Sequence, residues 1–151
     1  MEENKNELMV KDFSELNRGV KNNASIYTTI TDEKTIFNLE DSCDYKINDC
    51  KGEMIRVKDV LIKRIEKDLK EPVVNEETGE IIKDKELKLI TILIDDEGKS
   101  YVTASKTFGF KFIKYIEMFG LEEITKNGLE IKIIETSVKN SNNKALSFAL
   151  V

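Results

Sequence analysis

The stretch DDEGKSYVTASK, Asp95 to Lys106, sets an aromatic ring between two cations, Lys99 and Lys106, with Tyr101 in the middle. An aromatic face stacks on planar rings and an ammonium neutralises phosphate, so the trio has the makings of a platform for a nucleic-acid strand. Further cations and rings extend the set: Arg56, Lys58 and Lys63 in one segment, Lys132, Lys139 and Lys144 toward the C-terminus, and Phe110 and Tyr27 as additional aromatics. Catalytic chemistry is poorly served. The chain has no histidine, which removes the commonest general base and the usual partner of a serine or cysteine nucleophile. It carries no phosphate loop, dinucleotide loop or calcium loop. Asp95, Asp96 and Glu97 read as turn formers, because adjacent carboxylates rarely converge on one ion without ligands from elsewhere. Cys43 and Cys50, in a chain without histidine, fall short of a four-ligand zinc site and read as reduced thiols. No catalytic residue, metal or cofactor is expected, and the protein is expected not to be an enzyme. A carboxylate-dependent activity would need ligands that only the fold brings together.

With 151 residues, 40% hydrophobic and 35% charged, the composition fits one soluble domain with a single core. No run of about 18 apolar residues exists, and MEENKNELMV lacks the basic-then-apolar order of a secretory signal. A cytoplasmic location without a membrane partner is the expectation. The net charge of −5 is unevenly spread: residues 1–97 hold 16 basic and 24 acidic side chains, residues 98–151 hold 8 lysines and 5 glutamates, nets of −8 and +3. Net charge bears on solubility, whereas a binding groove needs only a local positive field.

The elements that must position these residues are legible in outline. Residues 1–24 are polar and read as a mobile arm, with residues 25–151 as the folded domain. Ile26 to Ile30 suits a strand, and Asp32 to Glu40 is ambiguous between strand and helix. From Glu53 to Ile65 the apolar residues Ile55 and Val57 share one parity, Val60 and Ile62 the other. One extra residue near Lys58 and Asp59 would put all four on the core side, as in a β-bulge within a long bent strand. Glu71 to Glu86 holds the only proline and a Glu-Thr-Gly turn, and reads as a long hairpin connection. Leu87 to Ile94 is a strand, Asp95 to Gly98 a turn, and Lys99 to Ala104 the antiparallel partner. Ser105 then caps a helix of about four turns ended by Gly120. Leu129 to Val138 and Ala145 to Val151 are the last strands, joined by the polar turn 139–144 with its Asn140, Ser141, Asn142 and Asn143. Strand, strand, strand, helix, strand, strand is the plan of the OB-fold, a mainly β, five-stranded barrel with its helix between strands three and four, here with an N-terminal extension.

Alternation along the strands assigns faces. Val102 and Ala104 take the core parity, which turns Tyr101 and Thr103 outward beside Lys99; Arg56, Lys58 and, past the bulge, Lys63 also point out. On the helix, Phe108, Phe112, Ile116 and Phe119 form one core stripe, and Phe110 lies off it. Lys132, Lys139 and Lys144 sit in or near loops of the kind an OB-fold uses to clasp a ligand. Tyr27, Phe37 and Tyr45 fall in the weakly patterned part.

The segment TILIDDEGKSYVTASKTFGFKFIKYIEMFG, Thr91 to Gly120, resembles the single-stranded DNA-binding proteins of phages and mobile elements of Gram-positive bacteria. The likeness rests on Asp95-Asp96-Glu97-Gly98, on Tyr101-Val102-Thr103-Ala104-Ser105-Lys106 and on Phe119-Gly120, with NDCKGEMIRVKDVLI (Asn48 to Ile62) similar to the first barrel strand. It implies sequence-independent binding of single-stranded DNA in replication or recombination, in the cytoplasm of a bacterial host. Replication or recombination proteins and a second copy of the chain are the further partners it leaves open. The chain ends in FALV without an acidic tail, so the acidic arm is the segment expected to recruit any protein partner. A second reading is an acidic protein-interaction module, such as a phage- or plasmid-encoded inhibitor of a host protein, which would bind one basic protein and no oligonucleotide.

Overall fold

A computed structural model describes residues 10–12, 22–39, 41–137 and 144–151. Its spine is one strand of 21 residues, β4 (Met54–Val74), preceded in the chain by β1 (Val10–Asp12), β2 (Asn22–Thr28), the helix α1 (Glu33–Leu39) and the two-residue β3 (Tyr45–Lys46). After it come β5 (Ile81–Asp95), β6 (Ser100–Thr103), the helices α2 (Lys106–Phe119) and α3 (Leu121–Asn127), and the strands β7 (Leu129–Ser137) and β8 (Lys144–Leu150). The sheet runs β1-β2-β4-β5-β6-β3, with β7 on the first residues of β4 and β8 on β7. It curls strongly into an OB-like half-barrel. The five strands expected of the barrel are β4 to β8. Where the expected arm ended at residue 24, β2 has already begun, and Val10–Asp12 pairs with it.

The register break on β4 falls between Val57 and Asp59, and Ile55, Val57, Val60 and Ile62 are all buried on one side of it. That bulge lets one strand pair with β7 through Met54 to Val57 and with β2 through Leu61 to Lys67. The main core lies inside the curl, where α2 inserts Phe108, Phe112 and Ile116, and α3 inserts Leu121 and Ile124. Burying side chains of this size stabilises by about 1.5–3 kcal/mol each. Ser105 caps α2 as expected, its hydroxyl accepting from the Phe108 N–H.

A second, smaller cluster lies on the opposite face of the sheet, where Ile36 and Leu39 of α1 cover Ile26, Leu61 and Ile92, with Val102 packed against them. The central strands are therefore covered on both sides, and that corrects the faces assigned to β6. Thr103 is buried, not outward, and Tyr101 is half-buried against the main core. Val102 faces the second cluster instead, and Ala104 is exposed. Parity was right; the choice of face was inverted because the sheet has two apolar sides.

Three further departures have local causes. Phe119, expected in the core, is 54% exposed: it is the last residue of α2, where Gly120 turns the chain into α3, and its ring rests on Tyr115 at 4.8 Å. The helix α3 was not anticipated, although Leu121 and Ile124 at helical spacing before Gly128 carry its signal. The connection expected over Glu71 to Glu86 is mostly ladder: β4 continues to Val74, a turn closes with Asn75 N–H donating to Glu80 O, and β5 starts at Ile81. Pro72, which has no N–H to donate, falls where the register breaks between Asp68 and Val73.

Candidate functional site

The turn after β5 is built on one carboxylate. Asp95 Oδ1 accepts from the backbone N–H of Glu97 at 2.9 Å and of Lys99 at 2.8 Å, and Oδ2 accepts from the Tyr101 hydroxyl at 2.8 Å. Burial works to raise the pKa of Asp95, but the Lys99 N–H, the Tyr101 hydroxyl and the Glu97 N–H outweigh it, and its carboxyl lies below the ordinary value. Burial first, then the bond to Asp95, pushes the Tyr101 hydroxyl well above the ordinary tyrosine range. Its polar end is therefore held, and only the ring can meet a ligand.

The ring has a neighbour from far away in sequence. β3 pairs in parallel with β6, Tyr45 opposite Tyr101 and Lys46 opposite Val102. The pairing is fixed by Asp44, whose Oδ2 accepts from the Ser100 N–H at 3.0 Å and whose own N–H donates to Ser100 Oγ at 3.1 Å. The two tyrosine rings stack with centroids 5.3 Å apart and planes 26° from parallel. Tyr45 remains 46% exposed, so one aromatic face is open.

This stack forms one wall of a groove of about 870 Å³ between the β3–β6 edge and the start of β4. Met54, Ile55 and Val102 supply apolar surface, and Lys46 and Lys99 are its two cations. Asp41, Asp44, Asp49 and Glu53 also line it, so the groove itself is acidic. Lys99 pairs with Glu97 at 3.3 Å, which raises its pKa. Cys43 and Cys50 line the groove as thiols outside any disulfide, donating to the Leu39 and Lys46 carbonyls. Burial, and then the Glu53 carboxylate, pushes the Cys50 thiol up to about 11.

Of the residues singled out in the sequence, Lys99 and Tyr101 line this groove. Lys132 lies directly across from Met54 in the β4–β7 ladder, which sets their side chains side by side on one face, at the groove's edge. Arg56 is engaged elsewhere: it donates to Glu130 Oε1 at 2.9 Å and to the Asn127 carbonyl at 3.2 Å, tying α3 and β7 to β4. Tyr27 packs against the main core and Lys63 stands on the opposite face of the sheet, beside Ile26 and Ile90 in the ladder. Lys106 borders a separate hollow of about 200 Å³ with Lys88 and Glu86. Phe110 is 42% exposed on α2, Lys58 is half-buried at the bulge, and Lys144 is exposed at the start of β8. None of these lines the groove, and Lys139 lies outside the described residues. Tyr45 and Lys46 are what the sequence reading missed as site residues. Their signal, an aromatic-lysine pair mirroring Lys99 and Tyr101, gains meaning only once β3 is known to pair with β6.

A family model described as phage single-stranded DNA-binding protein, of the Phi29 type, matches residues 18–151. Comparison with curated proteins and with solved structures returns no match.

Proposed function

The chain belongs to the phage single-stranded DNA-binding protein family, and on that premise we propose that it coats the strand without reading a defined sequence, in phage DNA replication or recombination, and catalyses no reaction. The observation that carries this reading is the open face of Tyr45, stacked on Tyr101 at the wall of a groove with lysines at hand. Every base has a π-face, so a tyrosine platform accepts any of them, while lysines follow the backbone. Tyr45 and Tyr101 are the stacking residues; Lys46, Lys99 and Lys132 are the cations that flank them. The compartment this reading implies is the cytoplasm of the bacterial host.

Fluorescence anisotropy of a labelled, unstructured oligonucleotide of about 30 bases, with duplex DNA as competitor, tests the reading. Binding should survive the duplex. Tyr45→Ala should weaken it by roughly 5- to 150-fold, the equivalent of about 1–3 kcal/mol for one stacked base, and Tyr45→Phe should restore it. Unchanged affinity in Tyr45→Ala would remove this groove from the DNA path.

A further inference from the structure

We propose that the groove takes nucleobases edge-inward with the phosphates held outside, and that it favours guanine over thymine. The inference rests on the reading of this groove as the DNA site. The walls decide the orientation: four carboxylates against two lysines line the groove, and a phosphate placed inside would be repelled. A carboxylate only accepts hydrogen bonds, so the chemical partner it selects is a donor-rich edge. One of the four is already engaged: Asp44 accepts from the N–H and hydroxyl of Ser100. Glu53 lies beside the Cys50 thiol, which itself donates to the Lys46 carbonyl.

Asp41 and Asp49 accept no hydrogen bond among the described residues, and both are exposed on the groove wall. With a base stacked on Tyr45, its edge points along the ring plane toward the groove rather than out past the lysines. Guanine alone offers two adjacent donors on its Watson–Crick edge, N1–H and N2–H, matched to the two oxygens of one carboxylate. Thymine offers a single N–H flanked by two carbonyl oxygens, which a carboxylate repels. Cytosine and adenine, with one amine each, fall between. The result is a graded preference among bases laid over binding that needs no defined sequence.

The test uses the full chain and three unlabelled 30-mers, alternating guanine–thymine, alternating cytosine–thymine, and thymine alone, competing with a labelled strand in lithium chloride so that guanines form no quadruplex. The guanine–thymine strand should bind on the order of five- to tenfold more tightly than thymine alone, the low end expected for a two-donor base contact open to water. The double variant Asp41→Asn with Asp49→Asn should bring that ratio close to one without weakening binding to the thymine strand. Equal affinity for the three strands, or a guanine preference that survives the double variant, overturns the inference. Tyr45→Ala separates the two levels: if it weakens all three strands while they bind equally, the groove is the DNA site and guanine selection is wrong. If it weakens none, the groove reading falls and this inference with it.

Discussion

Asp95 holds three donors at once, and the geometry gives a direct expectation for its removal. In Asp95→Asn the amide oxygen can still accept from the Glu97 and Lys99 N–H groups, but the amide nitrogen then faces the Tyr101 hydroxyl that now donates to Oδ2. A charge-assisted bond becomes a neutral one, a loss of about 1 kcal/mol. The pH dependence follows from the lowered pKa. A carboxyl whose folded pKa lies below its unfolded value of about 4 stabilises the fold above that value, and the contribution is lost as pH falls through the folded pKa. The midpoint of urea unfolding, measured from pH 6 down to pH 3, should therefore drop less steeply in Asp95→Asn than in the natural chain; an identical acid limb would show that the turn does not depend on this charge. Cys50 gives a second expectation at the same scale. With its thiol pushed up to about 11 and the residue 5% exposed, about one molecule in a thousand holds the thiolate at pH 8. Intact-mass analysis after iodoacetamide should find it unmodified in the folded protein and modified in urea. Rapid labelling in the folded state would mean that the β3–β4 region opens readily.

Between elements, the closest fit is α2 on β5. A Cβ at Gly109 would stand 2.3 Å from Leu89 Cδ2, 2.8 Å from Leu89 Cγ and 3.0 Å from Thr91 Oγ1, and Leu89 is 1% exposed. Gly109→Ala should raise helix propensity yet destabilise the protein by about 1–3 kcal/mol through overpacking, read as a lower thermal midpoint; a neutral or stabilising outcome would show that α2 can lift from the sheet at little cost. Such element contacts mark how far the sequence could be read. The bulge on β4 was legible, because Ile55, Val57, Val60 and Ile62 change parity at one place and only one geometry buries all four. The Ser105 cap and the Gly120 stop were legible for the same reason: a local rule determines each. The face of β6 was not, since alternation fixes which residues go together and says nothing about a second apolar layer. That layer depends on α1, whose Ile36 and Leu39 are too few to announce a helix by period. Nor was the Tyr45–Tyr101 stack legible, because it depends on a two-residue parallel pairing across 56 positions of chain, held by Asp44 on Ser100.

Across the whole molecule, the charge distribution separates two ways of holding a DNA strand. If the strand follows the groove alone, its phosphates meet Lys46, Lys99 and Lys132, while the acidic groove wall and a net charge of −5 keep the remaining backbone away. Three cations predict a slope of about −2 in log affinity against log salt for single strands, so that a fourfold rise in salt weakens binding about 20-fold. If the strand also runs along Lys58, Lys63, Lys106 and Lys144, more counterions leave and the slope steepens beyond about −4. The anisotropy titration repeated at four or five salt concentrations distinguishes these layouts, and Lys132→Ala sharpens it. Under the groove layout that variant should weaken all oligonucleotides alike and flatten the slope by about 0.7, whereas Lys63→Ala, beside Ile26 and Ile90 and outside the groove, should leave both affinity and slope unchanged. A slope near zero would remove phosphate contacts from the account and leave stacking on Tyr45 as the sole anchor. A Lys63→Ala effect equal to that of Lys132→Ala would mean that the strand runs beyond the groove along β2 and β5.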